Sequence, residues 1–316
     1  MKKYIRWVGI VIAIPIVLFL LIVILLYCPP VQNWAVKRVA SYASQKMGMN
    51  ITVEKVKLVF PLDLGVEGVR VLQPNDSVTG QTDTIANVGK IVANVQLLPL
   101  FSSKVEVNEL SLHDVRMNTA NLVHEARIKG DVGLLLVQSR GVDLKSKTIR
   151  VNQAQLRDAN ISVELSDTVP PDTTKTPVFW KIKVDKLLVE RSKAMIRTAG
   201  DTMVVLAEMP KLEAKNGYFD LFKNLYRIET LNWQDGSVNY DLTHKPRTDG
   251  LDPNHIRLTH LDLGVDSFYF CQPELKMKVR VCAFKEKSGV QVNHFSTHVG
   301  LDSVRLDLPD LVLRTP

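Results

Sequence analysis

Seven histidines and three cysteines are the residues of this 316-residue chain best suited to chemistry. His294 and His298 stand four apart, which would put two imidazoles on one face of a helix, and His255 and His260 stand five apart. The surrounding VQVNHFSTHVGLDSVRLDL reads as strand instead, and no cysteine or carboxylate completes a tetrahedral set. Satisfied or exposed strand histidines are the simpler reading. Asp63/Glu67 and Asp262/Asp266 are spaced carboxylates that a solvated face explains. There is no Gly-rich phosphate loop, no G-x-S-x-G elbow and no H-E-x-x-H. The expectation is a protein that is not an enzyme, with no catalytic, cofactor or metal site. Cys28, Cys271 and Cys282 do not make a disulfide framework. Cys271 and Cys282 could pair outside the cytoplasm, yet both lie in apolar strand-like runs where a buried thiol is the simpler state.

The organising element is Val8–Tyr27, twenty residues without a charge and including Leu18; Leu26 lies near its end. At about 1.5 Å per residue such a helix reaches roughly 30 Å, the thickness of a bilayer's hydrocarbon core. Lys2, Lys3 and Arg6 precede it, so the positive-inside rule puts the N-terminus in the cytoplasm and residues 29–316 across the membrane. A cleaved signal peptide would have a shorter apolar core and small residues at its end, whereas this run closes on Leu26-Tyr27-Cys28-Pro29-Pro30. Residues 1–28 are therefore expected to be an uncleaved anchor with a short cytoplasmic start. Over residues 29–50, Val31, Trp34, Ala35, Val39, Tyr42, Ala43 and Met47 fall at helical spacing on one face. That predicts a short amphipathic helix near the membrane surface, or one capping the end of a sheet, with Trp34 suited to the interface.

From Ile51 onward the periodicity becomes that of strands. One pattern recurs: apolar, any, apolar, two residues, apolar, any, apolar. It appears as Ile51-Val53-Val56-Leu58, Val105-Val107-Leu110-Leu112, Ile149-Val151-Ala154-Leu156 and Ile182-Val184-Leu187-Val189. Tyr226-Ile228-Leu231-Trp233, Ile256-Leu258-Leu261-Leu263 and Leu306-Leu308-Leu311-Leu313 complete the set. Starts are 54, 44, 33, 44, 30 and 50 residues apart, too irregular for a strict solenoid. On a pleated strand the first two apolar positions face one side and the last two the other. Keeping all four on one face takes an extra residue in the middle, a β-bulge or a break, and repeated bulges would curl the sheet. Asp114, Asp158 and Asp235 follow three copies by two residues and read as strand-end or turn residues. Turn chemistry also marks Gln73-Pro74-Asn75-Asp76, Gly130-Asp131, Asn216-Gly217 and Gln272-Pro273-Glu274, with a brief helical turn at Asp220–Asn224. Residues 166–177 read as a long flexible loop and Asp241–Asp252 as a shorter polar one.

The expected fold class is all-β after the transmembrane helix and the amphipathic helix: an elongated, curled antiparallel sheet over residues 51–316 with one apolar face. Expected to line that face are Val105, Val107, Leu110, Leu112, Ile149, Val151, Leu156, Ile228, Leu231, Trp233, Leu258, Leu261 and Leu263. No amphipathic helix after residue 50 is long enough to cover such a sheet, so the face must meet a second sheet, a partner or lipid acyl chains. The net charge of +7 is modest, and the basic residues look spread along strands rather than gathered with aromatics, which speaks against nucleic acid.

The anchor, the segment VQNWAVKRVASYASQKMGMNITVEKVKLVFPLDLGVEGVRV, Asp83-Thr84-Ile85, and VGKIVANVQLLPLFSSKVEVNELSLHDVRM together carry a resemblance. The chain resembles the AsmA-like superfamily and, more narrowly, the N-terminal part of the Bacteroidetes form of the TamB (translocation and assembly module) family. The resemblance implies an inner-membrane-anchored periplasmic bridge whose β-groove carries phospholipid toward the outer membrane. It also implies an outer-membrane barrel partner that assists insertion or secretion of outer-membrane proteins. Such proteins run longer and end in a characteristic C-terminal domain, whereas this chain stops at LVLRTP in mid-repeat, as a truncated form would. The pattern predicts that Leu156→Asp abolishes groove function in a complementation assay while Arg157→Asp, on the opposite face, is mild. Equal tolerance of both would defeat the one-faced reading.

Overall fold

A computed structural model describes residues 48–59, 63–74, 82–95, 107–119, 126–143, 146–165 and 180–316, with eight helical positions between 30 and 45. The expected spanning stretch, with Val8, Leu18 and Leu26, lies outside the described residues, as do Val105 and the loop 166–177. No helix among the described residues is long and apolar enough to cross a membrane. Trp34, Lys37, Arg38, Ala40, Ser41, Ser44 and Gln45 are helical, and Trp34 is 66% exposed. Ser44 ties this helical segment to the sheet. Its Oγ donates to the Ala40 carbonyl (2.7 Å) and accepts from the Ile51 N–H (2.9 Å).

Fourteen strands follow: β1 (Asn50–Val59), β2 (Asp63–Pro74), β3 (Thr82–Val95), β4 (Val107–Asn118), β5 (Ala126–Asp143), β6 (Thr148–Leu165) and β7 (Lys181–Arg197). Then come β8 (Val204–Asp220), β9 (Leu225–Asp241), β10 (His255–Cys271), β11 (Glu274–Glu286), β12 (Gln291–Leu301), β13 (Leu306–Asp307) and β14 (Val312–Arg314). They form one long, open, curled sheet in chain order, with β14 also pairing β12. Every pairing is antiparallel but one. β6 and β7 run parallel, which departs from the all-antiparallel expectation. The register there is a constant offset of 33, the repeat spacing itself, so Ile149, Val151, Ala154 and Leu156 lie beside Ile182, Val184, Leu187 and Val189. Like positions of two repeat copies meet, apolar against apolar.

Strands β5 to β10 are 17 or 18 residues long, against a usual length of about 5–6. Twist builds up along such strands, and they are re-phased at two transverse creases. At the first, Asp114, Asp158, Arg191, Asp235 and His260 take left-handed backbone, with φ of 46–53°. Flanking registers align Glu54, Gly68, Gly89, Asp114, Gly133 and Asp158 across β1 to β6. Arg191, Pro210 and Asp235 extend the line across β7 to β9. A left-handed residue leans over its neighbour strand: a Cβ at Gly89 or Gly133 would sit 3.0 Å from the Cβ of Asp114 or Asp158, so glycine fits there. Pro210 is tolerated inside a central strand because the ladder is interrupted at that point. The second crease runs through Asn152, Asp185, Asn216, Glu229 and Ser267, with Asn216 and Ser267 left-handed (φ 52° and 54°).

Several sequence expectations change accordingly. Asp114, Asp158 and Asp235 are left-handed residues in mid-strand, not strand ends. Gly130-Asp131 lies inside β5 and Asn216-Gly217 inside β8, so neither is a turn. Residues 221–224 make the β8–β9 turn without helix, whereas Gln272-Pro273 is the β10–β11 turn as expected. The last repeat copy is broken into β13 and β14, with Asp310 left-handed between them.

The creases keep one face apolar. A single line of paired residues crosses the whole sheet: Val56–Val66–Ile91–Leu112–Leu135–Leu156–Val189–Leu212–Trp233–Leu263–Cys282–Phe295–Leu313. Beside it, at the first crease, Val69, Val88, Val115, Val132 and Ala159 are 3–9% exposed and form the core cluster. No second layer is present among the described residues, so the curl of the sheet toward this side is what shelters them. Cross-strand apolar pairs are worth roughly 0.2–1 kcal/mol each, and the line holds a dozen of them. Exposed ion pairs on the other face, such as Arg116–Asp131 at 3.6 Å, are worth about 0–1 kcal/mol and are secondary. If left-handed backbone is what the crease requires, Asp158→Gly should be close to neutral. Asp158→Val should cost about 1–2 kcal/mol in urea unfolding, and equal losses would refute the requirement.

Candidate functional site: an apolar face on an open sheet

Four further lines of Cα partners share the face with the two already described. Ala93–Leu110–Val137–Ala154–Leu187–Ala214–Leu231–Val265–Val279 lies two residues along from the long line. Past the second crease come Val151–Val184–Gly217–Ile228–Phe268 and Ile149–Ile182–Phe219–Tyr226–Phe270–Leu275. Past the first crease, on the far side, runs Ile128–Val163–Ile196–Val205–Tyr240–Ile256. Phe219 and Tyr226 meet edge to face (centroids 6.2 Å apart), and Tyr226 and Phe270 lie 6.0 Å apart. Val151, Val189, Ala214, Leu261, Val265 and Val279 are buried, but among the described residues no large side chain is completely so. The face is continuous and only half covered.

Of the residues expected on this face, Leu112, Leu156, Trp233 and Leu263 fall on the long line, and Leu110 and Leu231 on its neighbour. Ile149, Val151 and Ile228 lie beyond the second crease, and Val107 pairs with Val95. Leu261 is 4% exposed opposite Gly236 at the first crease, with Leu258 beyond it against Val238. The seven copies are therefore not equivalent. In Ile149–Leu156 the central two-residue gap spans the second crease, whereas in Ile51–Leu58 and Ile256–Leu263 it spans the first. Both creases add one residue, so the apolar pattern is the same. Trp233 fits because Gly236 has no side chain: a Cβ there would overlap the indole ring. Its Nε1 is buried without a partner.

Cys282 sits on the long apolar line between Leu263 and Phe295, and burial raises its thiol pKa. Cys271 belongs to the opposite face and its Sγ donates to the Lys223 carbonyl (3.7 Å), so both thiols are free and half-buried rather than paired. Sequence-pattern comparisons add no relatives. The chain matches no protein-family profile and no curated protein.

The opposite face is polar with exceptions, since Leu134, Leu136 and Leu188 share it with Arg157, Gln155 and Glu213. Across the parallel pair the Arg191 guanidinium donates to both oxygens of Asp158 (2.7 and 2.9 Å), which lowers the Asp158 pKa. Basic residues are less dispersed than the sequence implied. Register brings Lys183, Tyr218, Arg227, Tyr269 and Lys276 into one row, with cations and aromatic rings interleaved. A depression of about 420 Å³ lies among Val92, Asn94, Asn108, Glu109, Gln138, Ser139 and Asn152, where Gln138 donates to Glu109 (3.0 Å) and Asn108 to Asn94 (3.0 Å).

Two of the histidines, His255 and His260, carry structural bonds. His260 Nδ1 is 2.9 Å from Asp235 Oδ1, and the Asp235 N–H donates to Asp262 (2.9 Å), knitting the crease between β9 and β10. Among the described residues no three metal-ligating side chains converge. His255 and Asp252, each with 6% of its side chain exposed, close the loop between β9 and β10 through a 2.8 Å contact. Asp252 accepts the Thr248 N–H (2.9 Å) and the Asn254 N–H (3.0 Å). The Thr248 N–H, with His255 and Asn254, holds its carboxyl at about 2, below the usual 3.8. A depressed pKa stabilises the fold above the unfolded value and the benefit is lost as pH falls toward the folded one. Protection factors for residues 242–254, taken against the intrinsic exchange rate at each pH, should fall between pH 4 and about 2, and Asp252→Asn should flatten that pH dependence. An unchanged profile in the variant would remove Asp252 as its cause.

Proposed function

We propose that the chain is an inner-membrane-anchored periplasmic protein whose apolar face is a hydrophobic groove for phospholipid acyl chains, passing phospholipid toward the outer membrane. The observation that carries this reading is the uninterrupted apolar line from Val56 to Leu313 on a sheet with no second layer among the described residues. Lines of side chains run across the strands, along the axis of the curl. Twelve steps of about 4.8 Å give a track of roughly 58 Å, about twice the thickness of a bilayer's hydrocarbon core. An apolar surface larger than a few hundred Å² marks a site that binds something apolar. A lipid tail asks only for continuous apolar contact, whereas a folded partner would need interdigitating relief. The resemblance to the AsmA-like superfamily points the same way.

One observation favours a second role as an assembly or translocation scaffold working with an outer-membrane barrel partner. At the β12–β14 edge Leu306, Leu311, Val312 and Leu313 are 41–58% exposed and Val304 is 94% exposed, an edge that a client strand could extend. At the other edge, β1 carries Glu54, Lys55 and Lys57, charges that discourage pairing.

Photo-crosslinking in intact cells separates the readings. A crosslinking residue at Leu112, Leu156 or Leu261 should yield phospholipid adducts, and one at Arg157 on the polar face should not. Protein adducts at the inner positions would favour the scaffold, and no adducts at all would remove the groove as a binding surface.

A further inference from the structure

Away from the apolar face, the most ordered unassigned feature is the row Arg150–Lys183–Tyr218–Arg227–Tyr269–Lys276, one residue from each of β6 to β11. From Lys183 onward cation and tyrosine alternate strand by strand. Charges therefore recur every second strand, about 9.6 Å apart, with a phenol between each pair. Lys183 Nζ stands 6.0 Å from the Tyr218 ring centroid and the Arg227 guanidinium 5.4 Å from that of Tyr269. Packing on a ring holds these cations in place without neutralising them.

Carboxylates also lie nearby, and Asp185, two residues from Lys183, is exposed. Asp220 is 3% exposed and accepts the Lys223 N–H (3.1 Å) and the Tyr218 hydroxyl (3.5 Å), Glu229 accepts the Asn216 amide, and Asp266 lies 3.9 Å from Arg280. Lys276 does pair with Glu274, at 3.1 Å. Among the described residues Arg150, Lys183 and Arg227 form no ion pair. Of the flanking lysines, Lys186 and Lys215 both turn to Glu213 (3.8 and 3.4 Å), while Lys181 and Lys278 stay exposed.

We propose that this row is a track for an extended acidic polysaccharide carrying a carboxylate or sulfate on every second sugar. In an extended β-linked glycan each pyranose advances by nearly one strand spacing. Acidic sugars at alternate positions then meet Lys183, Arg227 and Lys276, and the neutral sugars between them lie on the ring edges and hydroxyls of Tyr218 and Tyr269. Duplex nucleic acid carries a charge about every 1.7 Å, several times denser than the row. An anionic membrane is a plane rather than a line, and Glu213 holds two of the lysines, Lys186 and Lys215, that would widen the row toward one. The glycan track is independent of what occupies the apolar face.

The test uses the full-length chain in phosphatidylcholine nanodiscs and calorimetry with a hyaluronan octasaccharide, in which acidic and neutral sugars alternate. Saturable binding is expected, weakened about tenfold or more in the double variant Lys183→Gln, Arg227→Gln. The double variant Arg116→Gln, Lys193→Gln removes the same charge from pairs with Asp131 (3.6 Å) and Glu208 (2.6 Å) and should bind as the parent does. Circular dichroism confirms that both variants fold. Absence of saturable binding, an unchanged first double variant, or equal or tighter binding of oligothymidylate or phosphatidylglycerol vesicles overturns the proposal.

Discussion

A pleated strand sends successive side chains to opposite faces, and everything distinctive in this molecule follows from how that alternation is re-phased. Strands of 17 or 18 residues without interruption would accumulate twist and lose their register with their neighbours. A left-handed residue marks the reset on several strands: Leu156 and Ala159 both face inward because Asp158 takes up the residue between, while Arg157 points out. The reset works only if every strand makes it at the same height. Glu54, Gly68, Gly89, Asp114, Gly133 and Asp158 line up for that reason, and Gly133 lacks a side chain because Asp158 needs the room. Curl, apolar face and burial of the core cluster all depend on these aligned bulges.

Much of this was legible in the sequence, because the hydrophobic pattern records the face each residue occupies. All-β structure, the one-sided face and the need for an extra residue inside the motif follow from the alternation in Ile149–Leu156 and its copies. What could not be read is which crease a given copy spans, since each crease inserts one residue and leaves the same apolar string. The aspartates were visible but ambiguous. Aspartate tolerates left-handed backbone at a turn and at a bulge alike, and only the pairing of Asp158 with Gly133 and Arg191 tells the two apart. Asn216-Gly217 misled for the same reason. The row of cations and tyrosines was hidden more deeply, because its successive cations are 33 to 49 residues apart and only the register brings them together.

The parallel pairing of β6 with β7 shows how local and global constraints meet. Antiparallel order would have set Ile149 beside the far end of β7; parallel order at an offset of 33 sets it beside Ile182, and sets Asp158 beside Arg191. The two left-handed residues then carry opposite charges at 2.7 Å, where two aspartates would repel. The Ser192 hydroxyl, 2% exposed, accepts the Ala159 N–H (3.2 Å) and donates to the Glu190 carbonyl (2.8 Å), satisfying backbone groups that the crease takes out of the ladder.

Such a sheet gains less from burial than a two-layered domain does, since among the described residues its apolar face meets only its own curl. The compensation is regularity. Each inward residue has an apolar partner on both sides along the line from Val56 to Leu313, so the small pairwise terms repeat across the sheet without a polar interruption. A face built in this way cannot discriminate strongly between apolar ligands, because it offers no isolated polar group to be satisfied or left bare. The thirteen-member line contains one unsatisfied donor, Trp233 Nε1, and that is pressed against Gly236 rather than presented to an occupant. Selectivity, if the face binds lipid, must then reside in charges outside the line, where a headgroup would stand, and not in the floor that carries the chains.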